Sequence, residues 1–222
     1  MPNTPSTLEQ RLDQLHATVR ANAAWQRLAV AARFLLALAF IPTGIVKMLG
    51  RPFTIMGTET LVGQFFDVMW RTGGYWRFIG TTQVVASLLL LTPRTTALGA
   101  FLFLPIIANI FAITIALHFQ GTPYITGPML LACVFLLCWE YPRWKGLLFI
   151  TPSVVHGTWW PSNISALERW SVAVGASAGF VLLLATRGLV PASVVAPSLG
   201  VGGIAGVVLA GVWLRLLWLP QR

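Results

Sequence analysis

The longest stretch of this chain in which polar positions all but vanish runs from Phe78 to Leu117. It consists of two apolar segments, roughly 78–91 and 96–117, joined only by Thr-Pro-Arg-Thr. Neither holds a charged residue, so neither can be the amphipathic face of a small soluble domain; both read as membrane-spanning helices. The short connection makes them antiparallel neighbours, with Pro93 and Arg94 at the tip of the hairpin. Four further segments follow the same pattern: about Leu28 to Val46, Pro128 to Trp139, Trp170 to Thr186, and Leu199 to Leu219. The expected fold is all-α, a polytopic bundle of about six membrane helices, the last two (170–222) forming a second hairpin.

Between the spans the periodicity changes. Ser6-Thr7-Leu8-Glu9 has capping-box spacing, and Leu8, Leu12, Leu15 and Val19 recur at helical intervals with Glu9, Arg11, Asp13 and Arg20 off the stripe. Residues 1–27 are therefore expected to be a cytoplasmic amphipathic segment that lies on the membrane surface or docks on a partner, the former preferred. No charged-then-apolar-then-small pattern opens the chain, so no cleaved signal peptide is expected. Within the loop from Met48 to Arg77, Leu61, Val62, Phe65, Phe66 and Met69 share one helical side, which predicts a short interfacial helix. The linker 149–169 and its flanks carry Trp144, Trp159, Trp160 and Trp170, a density that points to headgroup depth. Asn163-Ile-Ser165 matches a glycosylation pattern but falls on the cytoplasmic side in the topology below. Small residues recur every fourth position in the last two spans (Ser171, Gly175, Gly179; Gly202, Gly206, Ala210), as close helix packing requires.

Composition agrees: 56% of the 222 residues are hydrophobic and only 9% charged, against about 25% charged in a soluble domain. The net charge of +9 is spread over span ends, where lipid headgroups are its partners; no basic stripe suits nucleic acid. With the N-terminus inside, ten Lys and Arg fall on that side (Arg11, Arg20, Arg27, Arg33, Arg94, Arg143, Lys145, Arg169, Arg215, Arg222) and five on the other (Lys47, Arg51, Arg71, Arg77, Arg187). Both termini are thus expected in the cytoplasm of a multi-pass protein.

The chemistry on offer is sparse. Cys133 and Cys138 fall on different faces of one helix, a poor redox pair, and neither a Cys/His metal set nor a catalytic constellation is found. His16, His118 and His156 lie in three different regions. Gln83 and Asn109 sit at similar depth in the second and third spans, and Pro105 frees the backbone carbonyl of Phe101 nearby. Lys47, His118 and Tyr124 lie at the outer mouth of the same half. These five residues form either a small polar pocket for a quinone or lipid headgroup, or structural contacts: interhelical hydrogen bonds from Gln83 and Asn109, a snorkelling Lys47 and an interfacial His118. With no carboxylate inside a span, a proton relay or ion-coupled transporter is not indicated.

Arg33 early in the first span, Gly44 and Lys47 at its end, Gly-Tyr-Trp before a span with Gly80 and Gln83, then LLLTPRTTALGAFLFLPIIANIF and a closing LLCWE together resemble the DoxX-like family of small bacterial membrane proteins. The resemblance covers about residues 28–148. It implies a four-helix core in the bacterial inner membrane and, as in some relatives, association with quinone-linked membrane oxidoreductases; it supplies no catalytic residues. The two added helices depart from that pattern. The expected function is a non-catalytic accessory subunit that packs against a larger respiratory or photosynthetic membrane complex. Alternatives are a quinone-interacting oxidoreductase subunit and a small-molecule carrier. The chain has no cofactor of its own in this reading; quinone or bound lipid and other integral membrane subunits are the expected partners.

Overall fold

The computed structural model describes residues 6–54, 56–149 and 164–218, with side chains described to residue 215. Trp159, Trp160, His156 and Asn163 lie outside them. Among the described residues every regular element is helical. The helices are α1 (Thr7–Ala21), α2 (Ala23–Met48), α3 (Leu61–Arg71), α4 (Gly74–Leu91), α5 (Thr96–Ala116), α6 (Pro123–Trp139), α7 (Tyr141–Trp144), α8 (Ala166–Thr186) and α9 (Val195–Trp218). The chain forms two compact units, 1–161 and 162–222.

Four described helices are long and apolar enough to cross a membrane: Ala23–Met48, Thr96–Ala116, Ala166–Thr186 and Ala192–Arg215. The pair Pro123–Trp139 and Tyr141–Leu147, bent by 63°, makes a fifth if counted as one span. This fits a multi-pass membrane protein. Of the six predicted spans, the second is the exception: α4 has only 18 residues, and Arg77, Thr81, Thr82 and Gln83 dilute its apolar character.

In the first unit α2 packs on α4 and α6, α4 on α5, and α5 on α6, so each of the four helices has two neighbours. The core they enclose includes Leu36, Phe40, Leu90, Phe103, Ile107 and Leu136, with the Phe40 and Phe103 rings edge-to-face at 4.6 Å. Two glycines set the closest approach. A Cβ on Gly80 would stand 2.5 Å from the Gly44 carbonyl oxygen and 2.7 Å from the Met48 nitrogen, so only glycine lets α4 lie this near α2. Cys133 is buried and its thiol donates to the Ala100 carbonyl at 3.5 Å, whereas Cys138 is exposed, as expected of different faces.

The turns follow local chemistry. Ser6 Oγ accepts from the Glu9 amide (3.2 Å) and caps α1. Asn22 Oδ1 caps α2 through the Ala24 amide (2.8 Å), breaking what would otherwise be one helix. Gly73, at φ 59°, lets the chain reverse from α3 into α4.

The amphipathic α1 holds its charged side, not its leucines, against the unit. Lys145 Nζ donates to Asp13 Oδ2 (2.9 Å) and lies 3.5 Å from Glu9 Oε1, and His16 Nε2 bonds the Trp139 carbonyl oxygen (3.0 Å). Leu8 and Leu15 stay 62% exposed. The leucines of the predicted stripe are therefore exposed; its last member, Val19, packs against the core, and charged residues off the stripe anchor the helix within the chain itself.

In the second unit α8 packs on α9. The predicted capping box forms: Ser165 Oγ accepts from the Glu168 amide (3.1 Å), and Glu168 Oε2 accepts from the Ser165 amide (3.1 Å). The Oε1 of the same carboxylate accepts from Trp213 Nε1 of α9 (3.1 Å). The packing runs through Gly175 against Ala205 and Gly202 against Ala178. Gly206 and Ala210 of the predicted stripe are exposed; of its three members in α9 only Gly202 meets α8, and Ala205 makes the other contact.

Candidate functional site

Lys47 closes the last turn of α2 and Gln83 lies in the middle of α4. The Gly44–Gly80 approach lies one turn before each of them. Brought together this way, Lys47 Nζ donates to Gln83 Oε1 at 2.9 Å, with Lys47 6% and Gln83 1% exposed. The ammonium also stands 4.8 Å from the Phe53 ring and 5.4 Å from the Trp76 ring, within cation–π range. Trp76 is fixed in turn by its indole N–H, which donates to the Arg51 carbonyl (2.9 Å). Ser87 Oγ donates to the Gln83 carbonyl (2.7 Å) and continues the polar line down α4.

Of the five candidate residues, these two meet and the other three do not join them. Asn109 is exposed on α5, beside an exposed Pro105. The expected Gln83–Asn109 bond does not form: Asn109 faces outward, whereas Gln83 is buried and engaged by Lys47 from α2. His118 is exposed and ends α5 with φ 50°, the left-handed cap position that His tolerates. Tyr124 is 85% exposed at the start of α6. A hydroxyl pair, Thr114 and Thr126 at 3.2 Å, bridges α5 and α6 instead.

A second polar cluster lies at the opposite end of α2. Glu140, 1% exposed at the end of α6, pairs with Arg33 of α2 and, at 3.0 Å through its Oε2, with Arg143. Arg143 also donates to the Pro93 carbonyl at the α4–α5 turn, so one carboxylate ties α2 and α6 together while its second arginine reaches the hairpin tip. The Arg20 guanidinium sits 5.2 Å over the Trp139 ring. Burial lowers its pKa, Glu140 opposes that and Arg143 adds to it. Arg33 Nε and the Tyr141 hydroxyl are buried with no hydrogen-bond partner among the described residues. This cluster was missed in the sequence because Glu140 read as a mere boundary charge. The available signal was Arg33: ten residues into α2 at about 1.5 Å per residue, it is too deep for an unpaired charge.

What the two clusters can do chemically is limited. Each buried charge or amide is turned toward another side chain of the same unit, and no three metal-ligating side chains converge among the described residues.

No protein-family model and no solved structure matches this chain. It is similar to the uncharacterized protein YwoB of Bacillus subtilis (strain 168), with 32% identity over 121 residues that cover 52% of this chain and 78% of YwoB. With that share of YwoB's length matched at that identity, the chain belongs to the same family as YwoB.

Proposed function

We propose that the chain is a non-catalytic integral membrane subunit that packs against a larger membrane complex. The observation that carries this reading is the outward face of α9. Gly200, Gly203, Gly206 and Gly211 stand where an added Cβ would meet nothing within 4 Å. Each costs a helix about 1 kcal/mol relative to alanine, and none of them turns the chain or admits a neighbour that the second unit itself provides. Glycine at such positions suits the close approach of a helix from another polypeptide. The Lys47–Gln83 and Arg33–Glu140 pairs support the same reading, since they hold helices of one chain together instead of facing a substrate.

In this proposal all six apolar helices cross the bacterial inner membrane with both termini cytoplasmic. α4 crosses too, because it packs between two helices, α2 and α5, that are themselves long and apolar enough to do so. Gly44, Lys47, Gly80 and Gln83, four residues that carry the DoxX-like resemblance, meet in one contact, which favours that affinity. Single cysteines at Gln120 and Arg94 in a Cys-free background are expected to label from outside and only after permeabilisation, respectively; the reverse contradicts the orientation.

The docking face is tested with Gly203→Leu. Purified in gentle detergent, the wild-type chain is expected to bring integral membrane proteins with it, while the variant keeps its thermal stability within about 0.5 kcal/mol but loses them. Equal recovery of the same partners by both forms would contradict the assignment of this face, and recovery of none by the wild type would contradict the subunit reading.

A further inference from the structure

The Arg20, Arg33 and Arg143 side chains gather near one carboxylate, Glu140. Arg33 and Arg143 are committed to Glu140 by ion pairs. Arg20 is not: its half-buried guanidinium lies over Trp139 and makes no hydrogen bond to any described residue, although it carries five N–H donors. Three positive charges against one negative leave the cluster short of anion, and Arg20 is the member with donors to spare.

The surface beside it is built for hydrocarbon. The Trp25 ring stands 5.8 Å from Phe135, and Phe135 stands 5.9 Å from Trp139, the ring under Arg20. Around this aromatic line Trp25, Leu28, Leu131 and Val134 are 42–70% exposed, on two helices, α2 and α6, that have the apolar character of membrane spans. An unsatisfied guanidinium at the head of an exposed apolar wall has the layout of a phospholipid: phosphate at one end, acyl chains along the other.

We infer that Arg20, backed by Arg33 and Arg143, binds the phosphate of an anionic phospholipid in the leaflet on the α1 side, with the acyl chains lying along the Trp25–Phe135 wall. A bidentate guanidinium–phosphate contact would satisfy the Arg20 donors. A net anionic lipid also balances the excess positive charge, which a zwitterionic lipid does not. The site would further brace α1, since Arg20 belongs to its last turn.

The test uses the full chain, stripped of lipid in detergent and reloaded. Phosphatidylglycerol at a hundredfold excess over its dissociation constant is expected to raise the melting temperature by about 5 to 10 °C. Phosphatidylcholine and sodium phosphate at the same concentration should raise it by less than a third of that. Arg20→Gln should weaken the phosphatidylglycerol response about tenfold in concentration, and Arg20→Lys, which keeps the charge without the bidentate fork, should fall between. A variant that melts far below wild type before lipid is added is still read by its retained lipid in native mass spectrometry, where the loss of phosphatidylglycerol from Arg20→Gln is expected. An equal response to phosphatidylcholine, an equal response to sodium phosphate alone, or an Arg20→Gln protein that binds as wild type does would each overturn the inference.

Discussion

Glu140→Ala is expected to destabilise the first unit by about 3 to 5 kcal/mol, the range for removing one partner of a buried ion pair. The side chains of Arg33 and Arg143 are only 11% and 14% exposed, so without the carboxylate both are left as desolvated charges with no counterion in place. The cost comes less from the lost attraction than from the abandoned arginines. That distinction is measurable, because Arg33→Met combined with Glu140→Leu removes both members of one pair and should recover a large part of the loss. Denaturant or thermal unfolding of wild type and these two variants in one detergent reads the effect. A loss below about 1 kcal/mol for Glu140→Ala would mean that the arginines reach solvent without help. In that case the cluster would not bind the end of α6 to α2.

The second large effect is expected at Gly80. In Gly80→Val the new side chain meets backbone, at 2.5 Å from the Gly44 carbonyl oxygen and 2.7 Å from the Met48 nitrogen, and backbone cannot rotate aside. α2 and α4 must separate. Overpacking alone costs about 1 to 3 kcal/mol. Loss of the Lys47–Gln83 hydrogen bond adds roughly 1.5 to 3, as for a bond to a charged group. Gly203→Ala is the matched control: with nothing within 4 Å of its Cβ position it should be neutral or stabilising by up to about 1 kcal/mol through helix propensity alone. Melting temperatures of the three proteins decide the matter. Equal stability of Gly80→Val and Gly203→Ala would rule out the close approach as the feature that seats Lys47 on Gln83.

Much of the helical layout was legible in the apolar runs because bilayer thickness imposes a length that sequence displays directly. The Gly73–Gly74 break before α4 was plain from the glycines, but the break that Asn22 makes between α1 and α2 was harder to see. A capping side chain matters only where the chain actually turns, and hydropathy does not report it. The polar partners were the least legible. Gln83 and Asn109 read as sharing a depth, but depth says nothing about which helix face each occupies. The Gly44–Gly80 contact decides that Gln83 turns to α2, and it depends on two residues read only as parts of a resemblance. α1 shows the same limit: its leucine stripe was plain, yet Lys145, more than 120 positions away, draws its acidic side inward.

In the proposed reading the buried polar pair Lys47–Gln83 holds helices of the first unit together instead of serving a ligand. The most direct test is a double-mutant cycle on Lys47→Met and Gln83→Leu, with melting stability and extracted lipid-soluble compounds measured for all four proteins. Each single change is expected to cost about 1 to 3 kcal/mol by stranding a buried partner. The double should cost about 1 kcal/mol less than the sum, and no quinone should be extracted from wild type that the folded double mutant lacks. Additive losses, together with a quinone present in wild type and missing from a stable double mutant, would contradict the account and make Lys47 and Gln83 a ligand site.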